Sequence, residues 1–210
     1  MEKRPLSLAE YNRIYQTACG ILNSVGSNPE RSCIFFACYG AYILEKHYSI
    51  AAIPVAGGFA LRISDEPNVA FFGKDDGAKV STDSDGFHMW VQTKTHYIDF
   101  MAPLFPEAFG KMIPGIAIPR KMFQRAIVTE APSLDDLRAK GDFITLPDPE
   151  LTKTLGTRFI SKPVNSDLVG VAEAWFGRPG GKQQQTFAMR DDLGRVQNLS
   201  LPTAVAVGSW

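Results

Sequence analysis

Cysteine and net charge are both scarce in this sequence, and each shortage excludes a class of protein. The three cysteines, Cys19, Cys33 and Cys38, are too few for a disulfide scaffold in a chain of 210 residues, and without a CxxC pair a four-cysteine zinc site is also excluded. Lys plus Arg and Asp plus Glu both number 22, so the formal net charge is zero. A neutral chain lacks the positive field of a nucleic-acid-binding protein, so we expect no nucleic-acid partner.

Long apolar runs are also missing. The longest, at residues 34–38 and 50–55, fall far short of the roughly 20 residues that a membrane-spanning helix needs. Residues 1–10 are charged and lack the apolar segment of a signal peptide. We therefore expect no membrane partner and a cytoplasmic location.

Enough apolar sequence is nevertheless present for one sizeable core. Hydrophobic residues make up 45% of the chain and charged residues 21%, which is typical of a globular domain. Neither an internal repeat nor a linker divides the sequence. We predict a single α+β domain over residues 1–210, with its core at about residues 27–103 and further strands and loops from the C-terminal half.

Two segments near the N-terminus predict helices. Residues 7–25 carry apolar side chains at helical spacing and begin with a capping box. A second helix is predicted from the capping sequence at residues 27–30, through Cys33, to about His47. Its middle is apolar on nearly all sides, as in a buried central helix, and Gly40 would let another element approach closely.

Strand patterns follow the second helix. The predicted strands are residues 50–63, 69–72, 87–92, 96–101 and 123–129, followed by a hairpin at residues 186–199. Gly57 and Gly58 predict a bend or bulge in the first strand. Residues 102–119 contain four prolines and are expected to be irregular. Residues 132–140 predict a short helix, and residues 168–176 fit either a strand or a helix.

Cys33, His88 and Asp99 are the candidate catalytic residues. A thiolate is the reactive form of cysteine, and a helix N-terminus favours its negative charge. An imidazole beside the thiol completes the activation, and a carboxylate on the other ring nitrogen orients the imidazole. Cys33 lies near the start of the buried helix, while His88 and Asp99 lie on the two strands of the first hairpin.

The hairpin register decides whether His88 and Asp99 meet. If the turn consists of Thr93 and Lys94, His88 falls directly opposite Asp99, with Cβ atoms about 5 Å apart. A turn one residue longer would put the two side chains on opposite faces of the sheet.

Four motifs in order resemble one known group of enzymes. They are Ser32-Cys33 entering an apolar helix, the strand at residues 50–59, the histidine strand at residues 87–91 and the aspartate strand at residues 96–100. Together they resemble the transglutaminase-like and arylamine acetyltransferase branches of the papain-like superfamily. The resemblance covers about residues 27–103 and implies membership of a small bacterial family within that superfamily.

The resemblance implies a papain-like fold, in which a central nucleophile helix packs on a mainly antiparallel sheet. It also implies acyl transfer or hydrolysis of an amide or thioester, without an organic cofactor or a metal. Cys33 is the expected nucleophile, His88 the general base and then acid, and Asp99 the orienting group. The implied partner is a small-molecule or peptide acyl substrate, whose pocket we expect residues 73–86 and 105–118 to shape.

Two further residues are candidates for substrate binding. Papain itself has a glutamine upstream of its cysteine, and Asn28 is the nearest upstream amide in this chain. Trp90 either forms a wall of the acyl site or packs in the core. A helix starting at Pro29 would leave Cys33 a full turn inside it, where the helix dipole acts more weakly.

Other functions remain open at this point. The main alternative is an inactive papain-like scaffold that serves as a binding or structural module. Zn²⁺ bound by the three candidate residues is a second alternative, and Ca²⁺ at the acidic residues 75–76 and 83–85 a third, although those carboxylates fit a solvated loop better. Cys19 and Cys38 are expected in the core, and His47 and His96 at the surface.

Overall fold

The computed structural model describes residues 4–77, 80–110 and 115–210, and it has α+β architecture. Residues 78–79, and residues 111–114 of the four-proline segment, lie outside this range, as do residues 1–3 of the charged N-terminus. The α-helices of the described residues are α1 (Leu8–Ser24), α2 (Cys33–Tyr48), α3 (Phe105–Phe109), α4 (Pro149–Ile160) and α5 (Pro163–Phe176).

One antiparallel sheet of six strands dominates the described part of the chain. Its strands are β1 (Ala52–Arg62), β2 (Val69–Phe72), β5 (His88–Thr93), β6 (His96–Asp99), β7 (Phe123–Ala126) and β8 (Phe143–Pro147). Two separate hairpins pair β3 (Lys74–Asp75) with β4 (Val80–Ser81) and β9 (Thr186–Arg190) with β10 (Val196–Ser200).

β1 lies at the centre of the sheet. Its residue Gly57 pairs with His88 of β5 and also with Pro147 of β8, so β5 and β8 lie on opposite edges of β1. The far half of β1 pairs with β2 on the edge that β5 occupies in the near half. The sheet then continues from β5 through β6 to β7. This arrangement confirms the α+β class and the antiparallel sheet.

The bulge expected at Gly57 and Gly58 is absent from the β1–β8 ladder. Its register runs without interruption from Gly57, opposite Pro147, to Gly58, opposite Leu146. A side chain at position 57 would overlap the Leu146 carbonyl group. Glycine at position 57 therefore allows β8 to approach β1 closely and does not mark a bulge.

The first two helices pack as their sequences suggest. Ser7 and Glu10 form a capping box at the start of α1, in which each side chain accepts a hydrogen bond from the other residue's backbone N–H. α2 packs against β1 and β5. A Cβ atom at Gly40 would overlap the Phe100 ring, so this glycine lets the aromatic ring pack directly on the helix.

The predicted start of the second helix is wrong. Residues Pro29–Arg31 form a separate 3₁₀ turn, and α2 begins only at Cys33. The Asn28 side chain caps the short turn by accepting from the Glu30 N–H. Ser32 breaks the helix, with φ −111° and ψ 35°. Cys33 is consequently the first residue of α2 and lies at the positive end of the helix dipole.

The C-terminal half contributes more regular structure than its sequence suggested. β7 and β8 extend the main sheet, α4 was not expected, and residues 168–176 belong to a helix, α5. The core accordingly draws on side chains from Leu6 to Trp210. In the described residues, every helix is too short or too polar to cross a bilayer.

Candidate active site

The three predicted catalytic residues lie at element ends in the interior. Cys33 is the first residue of α2, His88 the first residue of β5 and Asp99 the last residue of β6. The relative exposure of Cys33 is 7%, that of His88 is 0% and that of Asp99 is 1%. All three side chains are therefore shielded from bulk water, which strengthens electrostatic interactions among them.

His88 and Asp99 meet through a different register from the predicted one. Val91 pairs with Ile98 and Gln92 with Tyr97, so Asp99 lies opposite Trp90 and diagonal to His88. The turn is Lys94 and Thr95 rather than Thr93 and Lys94, because the Thr93 hydroxyl bonds the His96 backbone across it. The shift moves Asp99 by two residues relative to β5 and so keeps it on the His88 face.

A hydrogen bond spans this diagonal. His88 Nε2 lies 2.8 Å from Asp99 Oδ2, and the outer ring nitrogen provides the reach that a diagonal pair needs. The second carboxylate oxygen, Oδ1, accepts from the Met101 N–H at 2.8 Å. Both oxygens of Asp99 therefore have partners, and the carboxylate is fixed against the imidazole.

Tyr11 anchors the backbone of Asp99, a role that the sequence did not predict. Its hydroxyl donates to the Asp99 carbonyl oxygen and accepts from the Phe123 N–H at 3.4 Å. The Tyr11 ring stacks on Phe100, with centroids 5.1 Å apart. The helical spacing of apolar residues in α1 predicted only that Tyr11 lies in the core. Such spacing cannot show which distant group accepts a hydrogen bond from its hydroxyl.

The electrostatics around His88 favour its charged form. Burial lowers the pKa of His88, but the charge of Asp99, its hydrogen bond and the neighbouring Cys33 thiol raise it more, to about 10. His88 is therefore an imidazolium at neutral pH. Cys33 lies close enough to contribute to this shift, although within the described residues Nδ1 of His88 has no partner in hydrogen-bonding geometry.

Aromatic rings enclose the imidazole. Phe72 of β2 stacks on His88 with centroids 4.2 Å apart and an interplanar angle of 19°. Phe59 and Phe105 contact other parts of the ring at 5.4 Å and 6.1 Å. These contacts fix the plane of the imidazole, and none of the described residues offers its Nδ1 a hydrogen-bond partner.

The N-terminus of α2 is uncapped. The Ser32 side chain does not cap the helix, because its hydroxyl donates to the Asn28 carbonyl oxygen at 2.8 Å. In the part of the chain that the structure describes, the N–H groups of Cys33, Ile34 and Phe35 have no acceptor. Such free amides at a helix N-terminus can stabilise negative charge on a bound group.

The two predicted substrate-binding residues, Trp90 and Asn28, lie in different surroundings. Trp90 is 1% exposed and packs in the core, with ring contacts to Phe59 and Tyr97. The Asn28 amide is exposed, and both its oxygen and its nitrogen bond to Glu30. Asn28 therefore acts here as the cap of the 3₁₀ turn.

The other two cysteines, Cys19 and Cys38, lie in surroundings that raise the pKa of their thiols. Burial raises the pKa of Cys19 to about 11 and that of Cys38 to about 12, so both stay protonated at neutral pH. Neither thiol has a histidine among the groups that influence it.

The surface assignment of His96 is wrong. His96 is 3% exposed, and its Nδ1 lies 2.9 Å from the Thr95 hydroxyl in the tight turn between β5 and β6. His47 is partly buried against the Phe176 ring and lies 3.2 Å from a Glu173 oxygen.

Two concave surfaces flank the start of α2. The first, which we call the aromatic groove, has a volume of about 480 Å³ and is lined mainly by Arg31, Phe71, Phe72, Phe87, Glu107 and Phe109. The second, which we call the basic pocket, has a volume of about 240 Å³ and is lined mainly by Arg31, Ser32, Phe35, Arg158, Phe159 and Lys162. Arg31 lines both, and it lies two residues before Cys33.

The described residues contain no group of three or more His, Cys, Asp and Glu side chains arranged to hold a metal ion. Asp99 bonds directly to the His88 ring, and Cys33 lies near enough to the ring to influence its pKa.

Comparison with known proteins gives a family and one close structural relative. No curated protein matches the sequence. A crystal structure described as that of genomics APC5867 is 30% identical, with a TM-score of 0.87 over 100% of this chain and 99% of that chain. A family model described as "Protein of unknown function (DUF2026)" matches residues 7–210. The chain therefore belongs to the DUF2026 family.

Proposed function

We propose that this protein catalyses acyl transfer or hydrolysis of an amide or thioester, through a covalent intermediate on Cys33. One observation carries the proposal: a buried His88–Asp99 pair, bonded at 2.8 Å, lies against a cysteine that begins a helix. An imidazolium held by a carboxylate favours the thiolate form of a neighbouring cysteine.

The proposed reaction has two stages. In the first stage His88 already holds the proton given up by Cys33, and the Cys33 thiolate attacks the substrate carbonyl carbon to form a carbon–sulfur bond. The oxyanion that develops is stabilised by the free N–H groups at the start of α2. Its collapse breaks the bond to the leaving group, which takes the proton from His88. Water or another acceptor then attacks the thioester, with His88 as base, and Cys33 is restored.

The architecture supports a papain-like assignment of the fold. A helix that begins with the cysteine packs on an antiparallel sheet, and the histidine and aspartate lie on adjacent strands of that sheet. The order Cys, His, Asp along the chain agrees with the resemblance of the four motifs. The aromatic groove includes residues from both segments that we expected to shape the acyl pocket.

Thiol labelling tests the proposal directly. We expect limiting iodoacetamide at neutral pH to alkylate Cys33 faster than free cysteine and well ahead of Cys38, as measured by peptide mass spectrometry. His88→Ala should slow labelling of Cys33. His47→Ala is the matched control, because it removes a histidine that pairs with another carboxylate, Glu173, and it should leave the labelling rate of Cys33 unchanged. Labelling of Cys33 no faster than free cysteine, and insensitive to His88→Ala, contradicts the proposal.

The burial of the site favours a second candidate, an inactive scaffold. At 7% exposure, the Cys33 thiol offers little surface to a substrate unless the surrounding residues move. A purely structural thiol predicts that Cys33→Ala destabilises the protein by about 1 kcal/mol or more, because it leaves a cavity. If Cys33 is instead a catalytic nucleophile, Cys33→Ala should lose little stability or gain some, because active sites trade stability for function. Urea unfolding of Cys33→Ala and Cys33→Ser separates the two.

A further inference from the structure

We propose that the basic pocket binds an anionic group of the substrate, a carboxylate or a phosphate monoester borne on a short apolar chain. This inference rests on the proposed function and assigns a substrate class to it. It is carried by the position of the pocket, by its charges and by its apolar lining.

The basic pocket lies at the N-terminus of α2, and its lining includes residues on both sides of Cys33 in sequence but not Cys33 itself. Ser32 and Ile34, the two neighbours of Cys33 in sequence, both line it. Its other walls include the C-terminal end of α4, which carries Arg158, and the start of α5, which Lys162 directly precedes. A ligand seated there lies within reach of the first turn of α2, where the thiol is located.

The charges in the pocket have one sign. Arg31, Arg158 and Lys162 line it, whereas the described residues contribute no aspartate or glutamate to its lining. Among the described residues, none of these three side chains makes a hydrogen bond or an ion pair. Three cations without counter-ions repel one another, so an anion that joins them would relieve the repulsion as well as gain attraction.

The floor of the pocket is apolar. Phe35 and Phe159 meet edge to face there, with centroids 6.2 Å apart and an interplanar angle of 61°. Leu22, Leu155 and Leu168 complete the lining. At about 240 Å³ the pocket is smaller than the roughly 300–1,000 Å³ of typical small-molecule sites. It therefore suits a short hydrocarbon segment with one charged end rather than a large ligand.

The aromatic groove on the other side of Arg31 has the opposite character. Glu30, Asp85 and Glu107 line it, together with phenylalanines. An anion would meet carboxylates there and cations in the basic pocket. This charge difference favours one orientation of an amphipathic acid at the start of α2, with its anionic end in the basic pocket.

Direct binding tests the inference without requiring turnover. Hexanoate, hexyl phosphate and uncharged hexanamide share one alkyl chain and differ in charge. We expect at least one of the anions to bind about tenfold more tightly than hexanamide in calorimetric titration, a difference of about 1.4 kcal/mol. The tighter of the two anions identifies the group that the pocket takes.

Charge-neutralising variants locate the binding. Arg158→Gln combined with Lys162→Gln should abolish the preference for the anion. Lys153→Gln, on the same helix but outside the pocket, should retain it. Equal binding of all three ligands, no binding of any, or a preference that survives the double variant overturns the inference.

Alkylation separates this inference from the proposed function. Iodoacetate and iodoacetamide react alike but differ in charge, so their rate ratio at Cys33, relative to free cysteine, reports the local charge preference. If Cys33 is reactive but shows no preference for iodoacetate, and the protein binds the anions no more tightly than hexanamide, the inference about the basic pocket is refuted while the proposed function stands. An unreactive Cys33 in a protein that still selects hexanoate or hexyl phosphate refutes the proposed function alone.

Discussion

Asp99→Asn reverses the pH dependence that His88 gives to stability. In the native protein the pKa of His88 rises from 6.5 to about 10, chiefly because the Asp99 carboxylate outweighs burial. The stabilisation is therefore complete below about pH 6.5 and is lost as the pH rises through about 10. An amide at position 99 keeps the shape of the side chain but removes its charge.

The size of the effect follows from the shift. At about 1.36 kcal/mol per unit, a pKa raised from 6.5 to about 10 contributes at most about 4 kcal/mol to stability at pH 7. This value agrees with the roughly 3–5 kcal/mol lost when one partner of a buried ion pair is removed. Without Asp99, burial is the largest influence that remains, and it lowers the pKa of His88. The variant should then lose stability as the pH falls rather than as it rises.

Urea unfolding of both proteins from about pH 6 to about pH 9 measures the two slopes. The native protein should lose about 1.4 kcal/mol per pH unit above pH 7 from this group, and Asp99→Asn should not. Asp135→Asn, which removes an exposed carboxylate, should follow the native slope. Equal slopes in native protein and Asp99→Asn would refute the argument that Asp99 keeps His88 charged.

Three further substitutions test how the fold holds the site, each by urea unfolding. Tyr11→Phe leaves the buried Asp99 carbonyl without its donor and should cost about 1–3 kcal/mol, whereas an unchanged stability would show that the hydroxyl is dispensable. Gly40→Ala forces the Phe100 ring away from α2 and should cost about 1–3 kcal/mol, whereas no loss would show that the ring has room to shift. Ser7→Ala removes the capping box and should cost about 1 kcal/mol, and no loss would mean that the cap is redundant.

The residues of the candidate site were accessible to sequence reasoning for a simple physical reason. A chain with three cysteines and three histidines offers few combinations for thiol chemistry, and the 3.6- and 2-residue periods placed Cys33 on a helix and His88 on a strand. The pairing of His88 with Asp99 then required only that the two residues share a face, and an even shift in register preserves that.

Other features depend on contacts that local patterns do not contain. The hairpin register was set by the Thr93 hydroxyl bonding across the turn, a choice that residue propensities leave open. β8 follows a long irregular stretch, and its place beside β1 depends on Gly57, more than 80 residues earlier in the chain. Tyr11 reaches the site over a similar separation. Long-range partners of this kind cannot be read from periodicity.

The break in the helix at Ser32 links the two proposals physically. Had the helix continued from Pro29, its first free N–H groups would lie before Cys33, and Arg31 would belong to the helix body. Instead, Asn28 caps a separate turn, Ser32 bonds back to Asn28, and α2 starts with exposed amides at the thiol. The same break leaves Arg31 between the aromatic groove and the basic pocket. One local backbone choice thus places the positive end of a helix at Cys33 and puts a cationic residue, Arg31, between the two concave surfaces at the start of that helix. Positive charge of this kind favours both a thiolate and an anionic substrate.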